Sequence, residues 1–245
     1  MNTTEYSFPV IGVIHSCFKE KFGIPRQPGL VPSAKAQLEL LRPFNDPVVV
    51  DGLESVSHLW IQFVFHENNH EGWKPKVRPP RLGGNQSLGV FATRSPIRPS
   101  PIGLSVVKLD SIDASNGKLI LHLSGGDFLD GTPVLDIKPY VPYVDSVPDA
   151  ENKIAADAPP LLSVQIPDAL MKFCRDYETK HTVPLANLIR EILQQDPKPA
   201  YQQPDIERIY GMRLLDLDLR WRYLDAGSLL VESISPFLPP SLSSN

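Results

Sequence analysis

The chain has 245 residues, 42% of them hydrophobic and 21% charged, enough to bury a sizeable core in one large domain or in one domain with an appendage. Its two cysteines, Cys17 and Cys174, lie far apart and form no CxxC pair, which argues against a disulfide framework and against a cysteine zinc site. No apolar run approaches the roughly 18 to 20 residues that cross a bilayer, and the first residues lack the basic and apolar segments of a secretory signal, so a cytoplasmic location without membrane attachment is expected.

A formal net charge of −4 hides a local field. Residues 72–108 carry Lys74, Lys76, Arg78, Arg81, Arg94, Arg98 and Lys108 with no Asp or Glu, whereas residues 145–157 set Asp145, Asp149, Glu151 and Asp157 against Lys153. The basic window is either a solvated loop or a surface for an anionic partner.

There are 26 prolines, roughly twice the usual share, spread between short apolar runs, which predicts many short elements joined by rigid turns. Runs of strand character occur at 8–16, 37–41, 58–65, 88–93, 105–112, 118–123 and 133–140. Leu119, Leu121 and Leu123 share one face of their run, with Lys118, Ile120 and His122 on the other. Seven short strands without interleaved helices predict a mainly β barrel or sandwich over residues 1–145. Residues 146–160 read as an acidic, proline-containing linker. Two amphipathic helices follow, one with Leu170, Phe173, Cys174 and Tyr177 on one stripe and Asp168 as N-cap, the next with Leu185, Leu188, Ile189, Ile192 and Leu193, begun near Pro184 and ended by Pro197. Strand-like runs at 208–215, 218–223 and 229–235 complete a smaller α+β domain over 161–235, and residues 236–245 read as a disordered tail.

His66, Glu67 and His70 satisfy the HExxH spacing of zinc peptidases, but that chemistry needs a helix to bring both imidazoles to one metal. Here a strand precedes the motif and Gly72 and Pro75 close it, so no metal is expected. Ser105-Val106-Val107-Lys108 matches SxxK inside an alternating run and reads as a strand. No P-loop or Rossmann glycine pattern is present. More informative are three loops that combine arginine with proline and, in part, glycine, around Arg26, around Arg78 and Arg81, and around Arg94 and Arg98. Stiff loops preorganise planar guanidinium groups for phosphate or carboxylate, or let them cap loop carbonyls.

The runs at 19–30, 57–60, 77–85, 89–95, 130–133 and 136–140 also resemble those of the TsaA-like family. Residues 196–201 extend the resemblance to its bacterial TrmO branch of tRNA threonylcarbamoyl-adenosine methyltransferases, with Lys198 where arginine is expected and Ser100 where asparagine is commoner. The resemblance reaches residue 235 or so. It implies a homodimeric β-barrel that binds S-adenosylmethionine (SAM) and methylates N6 of the threonylcarbamoyl-modified adenosine at tRNA position 37. It assigns SAM contacts to Pro25, Arg26, Gln27, His66, Glu67, Arg94, Leu104, Asp130, Gly131, Thr132 and Pro133.

In that reaction the attacked nitrogen belongs to a urea-like linkage, so a positioned base helps to remove its proton. Asp136 or Asp130 is the expected base, with Lys138 or Tyr140 steering the threonyl carboxylate or the adenine, and with Arg81 and Arg98 as further carboxylate partners. The competing readings are a turn at Asp130 and an ion pair between Asp136 and Lys138. A non-catalytic RNA-binding barrel stands as the alternative function, since basic and aromatic barrel surfaces also hold single strands.

Overall fold

The computed structural model describes residues 4–68, 72–79, 86–198 and 202–238. Six strands close a barrel: β1 (Gly12–Ser16), β2 (Lys35–Leu40), β3 (His58–Val64), β6 (Ile102–Ser115), β7 (Lys118–Ser124) and β8 (Thr132–Pro139). Their order around the barrel is β1-β2-β7-β6-β3-β8, and every neighbouring pair is antiparallel. The strand period of two turns alternate residues inward. Leu119, Leu121 and Leu123 of β7 are buried, as are Leu59, Ile61 and Phe63 of β3, and they fill the interior with Ile14, Leu38, Val107 and Val134. A barrel this narrow is filled by side chains and leaves room for a ligand only at an end.

One of the seven expected strands does not join. Residues 88–93 contribute only a two-residue strand, β5 (Leu88–Gly89), paired with β4 (Lys76–Val77), and then enter a 3-10 turn over Val90–Ala92. The physical reason is that six strands already close the barrel and leave no edge to extend. Phe91 is left 78% exposed.

After a short helix, α1 (Pro142–Asp145), residues 146–160 carry no regular element. The second unit is a four-stranded sheet in the order β10-β11-β12-β9, made of β9 (Ser163–Gln165), β10 (Tyr210–Leu214), β11 (Leu217–Tyr223) and β12 (Ser228–Pro236). Two helices pack with it, α2 (Asp168–His181) and α3 (Leu185–Leu193). Alternation again sorts the sheet: Leu219, Trp221 and Tyr223 are buried, while Arg220 and Arg222 are exposed. β9 was not expected; three residues are too few for a periodic signal, and its pairing with β12 is parallel. Pro167 rather than Asp168 occupies the N-cap of α2, which puts the Asp168 carboxylate in the first turn, where the helix dipole favours it. Pro236 still belongs to β12, and Phe237 lies under the Arg213 guanidinium at 3.6 Å; the remaining tail, 239–245, lies outside the described residues.

The two cores are not divided as the chain is. Cys17, Phe18, Val31 and Ala34, all from the first 145 residues, are buried in the C-terminal core beside Leu188, Trp221 and Met212. Phe22 stacks on Trp221 at 5.9 Å, and Glu191 accepts from both Ser33 N–H and Ser33 Oγ–H, at 2.8 and 2.9 Å. Cys17 and Cys174 are free and buried, and burial pushes the Cys17 thiol up to about 12, far from a reactive thiolate.

Candidate active site

A cleft of about 930 Å³ opens at one end of the barrel. Its floor is built by close approach at Gly103 of β6, where a Cβ would meet the Phe63 ring at 2.2 Å, so only glycine fits. Beside it Ser105, also facing inward, is 2% exposed and donates through Oγ–H to Asp127 Oδ1 at 2.6 Å. The turn that carries Asp127 is bent at Gly125 (φ +74) and at Gly126, whose Cβ would strike the Phe128 ring at 2.6 Å. Leu104 lies on the outward face of β6 and is 53% exposed, offering a flat apolar surface to the cleft.

Four cations line the cleft, Lys21, Arg26, Arg94 and Arg98, against Glu67 and Asp127 among the described residues. Each cation is anchored. Arg26 Nη2 donates to the carbonyls of Asp196 and Lys198 at 3.2 and 2.9 Å, Arg94 Nη1 donates to Gln27 Oε1, and Arg98 Nη1 donates to Thr93 O at 3.2 Å. Lys21 Nζ donates to Glu67 O at 2.8 Å and to Asn68 Oδ1 at 2.9 Å. The two readings of these arginines are therefore not exclusive: Arg26 and Arg98 cap loop carbonyls and are held facing an anion-sized space by doing so. The loop around Arg94 is stiffened from within, since Thr93 Oγ1 accepts from Ser95 N–H and Ser95 Oγ accepts from Ile97 N–H, both at 3.2 Å.

Of the residues named from sequence, Pro25, Arg26, Gln27, His66, Glu67, Arg94, Leu104 and Thr132 line this one cleft, and Asp130, Gly131, Pro133, Asp136, Lys138 and Tyr140 do not. Asp130 accepts from Ser16 N–H at 2.8 Å and pairs with Lys19 at 2.8 Å, while Gly131 (φ +81) donates its N–H to Ile14 O at 2.8 Å; together they form the turn that returns the chain to the barrel. Asp136 accepts from Ile137 N–H at 2.9 Å and pairs with Lys138 at 2.6 Å. Tyr140 packs on Trp60 at 5.9 Å and on His58 at 6.5 Å, and Trp60, itself part of the cleft wall, donates Nε1–H to Asp145. The Val141 N–H and this indole hold the Asp145 carboxyl below the usual range. His66 and Glu67 lie on a 3-10 turn directly after β3, the wrong geometry for an HExxH site; His70 lies outside the described residues, as does Arg81.

Asp127 and Ser105 are the residues that sequence reading missed. Burial raises the proton affinity of Asp127, opposed by the Ser105 hydrogen bond and the charge of Arg94. A Gly-Gly pair directly after a strand was the available signal, because it marks a sharp turn open to close approach. Lys198 is also resolved: 6% exposed, it pairs with Asp196 at 2.8 Å inside the C-terminal core, and Asp196 Oδ1 accepts from Tyr223 OH at 2.6 Å. Its ammonium is engaged within the fold, and the carbonyls of the same segment hold Arg26.

Comparison with known proteins identifies the family. The tRNA-methyltransferase O N-terminal domain matches residues 13–146, and the TrmO C-terminal domain matches 159–237. A tRNA (adenine(37)-N6)-methyltransferase of Escherichia coli is 48% identical over 226 residues, 91% of this chain and 96% of that protein. The Pseudomonas aeruginosa protein RcsF, named as an S-adenosylmethionine-dependent methyltransferase, is 52% identical over 218 residues, 89% of this chain and 93% of that protein. The crystal structure of TrmO from Pseudomonas aeruginosa superposes with a TM-score of 0.79 at 43% identity, covering 95% of this chain and all of that one. Barrel, cleft and sequence together make the chain a member of the tRNA-methyltransferase O family of S-adenosylmethionine-dependent tRNA methyltransferases.

Proposed function

We propose that this protein methylates N6 of threonylcarbamoyl-adenosine at position 37 of tRNA, in the cytoplasm, giving N6-methyl-N6-threonylcarbamoyladenosine. The observation that carries this reading is the composition of the barrel-mouth cleft: anchored cations from separate loops, an exposed apolar strand face and a buried polar floor in one space of about 930 Å³. SAM fits that chemistry. Arg26 and Arg94, the latter held by Gln27, would hold its carboxylate; His66, Glu67 and Thr132 would meet its polar groups; Leu104 would pack its adenine. Bound there, SAM supplies a methyl group already activated on a sulfonium. The protein's task is then to orient the acceptor nitrogen in line with that group, keep water out and manage one proton.

Recognition of the modified base calls for a cation and an aromatic face. Arg98 lines the cleft and is the strongest partner for the threonyl carboxylate, while Lys138, directly opposite Trp60 in the register, is drawn to Asp136. Trp60, which lines the cleft wall and is backed by Tyr140 at 5.9 Å, offers an aromatic face on which an unstacked base can lie. The relative in Escherichia coli is named for action on adenine 37, which supports the position. A homodimer is part of the proposal, as the family resemblance implies.

The test is single-turnover methylation of matched anticodon stem-loops with and without the threonylcarbamoyl group. A site built around that group leaves its own polar partners unpaired when the group is missing, at about 1 to 3 kcal/mol for each, so the unmodified RNA should react slower by orders of magnitude. Equal rates would reduce the assignment to an adenosine methyltransferase of other specificity.

A further inference from the structure

Two carboxylates line the cleft among the described residues, Glu67 and Asp127. Glu67 stands at the rim with its side chain 57% exposed and its carboxylate 3.8 Å from His66 Nε2. Asp127 sits within the mouth, partly buried, with Oδ1 fixed by Ser105 from the barrel interior. The two carboxylates nearest in sequence that chemistry would favour are both engaged elsewhere, Asp130 by Lys19 and Asp136 by Lys138. Asp127 has no such partner among the salt bridges of the described residues, and Arg94 is the cation that acts on it.

We infer that Asp127 is the general base of the methyl transfer, with Ser105 as its positioning residue, an assignment that rests on the N6-methylation reading above. Ser105 holds Oδ1, and Oδ2 takes the N6 proton. As the lone pair of N6 forms the new N–CH3 bond, the S–CH3 bonding pair returns to sulfur, the N6–H pair stays on nitrogen and the proton passes to the carboxylate. The sulfonium and the carboxylate are both neutral at the end. A step that cancels two opposite charges is favoured in a site with little water, because less solvation is lost by the products than by the reactants. The partial burial of Asp127 thus serves the reaction in two ways, by raising its basicity toward neutral pH and by withholding the solvent that would stabilise the charged pair.

The experiment is Asp127→Asn in the full chain, an isosteric change that can still accept the Ser105 hydrogen bond, read on the threonylcarbamoylated stem-loop at saturating SAM. The single-turnover rate should fall by about 10² to 10⁴, with SAM affinity by calorimetry within about threefold of wild type. The wild-type rate should fall as pH drops through the raised Asp127 value, with Lys21, Arg26, Arg94, Arg98, His66 and Glu67 the other charged or titratable groups at the cleft among the described residues, and the variant should lose that limb. Stability gives a readout independent of activity. An ionised, desolvated carboxylate opposes folding above its folded-state value, so Asp127→Asn should melt higher at neutral pH, and the gain should vanish as pH falls below the ordinary carboxylate value near about 4. Ser105→Ala, which keeps the carboxylate but frees it, should slow the reaction by about tenfold without moving SAM affinity. A full rate in Asp127→Asn overturns the assignment, and so does a weakened SAM affinity with an unchanged rate at saturation, which would make Asp127 an anchor for the cationic end of SAM. A wild-type protein inactive on every stem-loop instead overturns the methylation reading itself.

Discussion

The barrel and the C-terminal sheet exclude water by the same alternation of side chains, but they differ in what else they bury. Around the barrel Ser16, Ser105, Ser124 and Thr132 are buried, each hydrogen-bonded: Ser16 to Phe128 O at 2.7 Å, Ser105 to Asp127, Ser124 to Asp110 and Thr132 to Leu129 O at 2.7 Å. In the C-terminal core Lys198 is the buried polar residue among those described, and its partners are internal. Polar groups lower the yield of burial, and they are retained where a ligand must be met. Of these, Ser105 and Thr132 line the barrel-mouth cleft, and the C-terminal unit is connected to that cleft through Arg26, whose guanidinium is gripped by the carbonyls of Asp196 and Lys198.

The largest effect should come from the chemical side. Arg94→Ala removes the proposed charged partner of SAM from a loop outside every strand, so SAM affinity should drop by about 1.5 to 3 kcal/mol, roughly ten- to a hundredfold, with the melting temperature unchanged. Calorimetry with undiminished affinity would remove Arg94 from the site. Next comes the choice of surface for RNA. Lys74, Lys76 and Arg78 are exposed, whereas Arg220 and Arg222 on the C-terminal sheet are already paired with Asp218 and Glu232. Replacing the first three by alanine should flatten the logarithmic salt dependence of tRNA binding by about 2 to 3, three contacts at roughly 0.7 to 0.9 each. An unchanged slope would move the RNA off the barrel. The smallest effect tests the connection between the regions. Tyr223→Phe deletes the hydroxyl that fixes Asp196, so denaturant unfolding should show a loss of about 1 kcal/mol, and SAM affinity should fall measurably, by about two- to fivefold. Loss of stability with no change in SAM affinity would mean that the C-terminal unit does not hold Arg26 in its working position.

Local pattern and tertiary closure contributed differently to each part of this molecule. Leu119, Leu121 and Leu123, or Leu219, Trp221 and Tyr223, announce their buried face by a period of two that is a property of neighbouring residues and survives in any strand context. The stripe of α3 is legible for the same reason, with Leu185, Leu188, Ile189, Ile192 and Leu193 all buried. The loop arginines were legible as candidates because proline and glycine beside them are local features too. What local pattern does not contain is partnership over long separations. Whether residues 88–93 become a strand depends on a free sheet edge, and closure of β3, β6 and β8 removed it. Phe18 joins the C-terminal core, across nearly two hundred residues of chain, by bridging Leu129 and Leu214. On paper Asp130 and Asp136 are the expected bases and Asp127 draws no notice, and only the fold gives Lys19 to the first, Lys138 to the second, and Ser105 with an open cleft to the third. A carboxylate's chemistry is set by the charges, dipoles and water within a few ångströms, and in a barrel those neighbours come from strands that are distant in sequence.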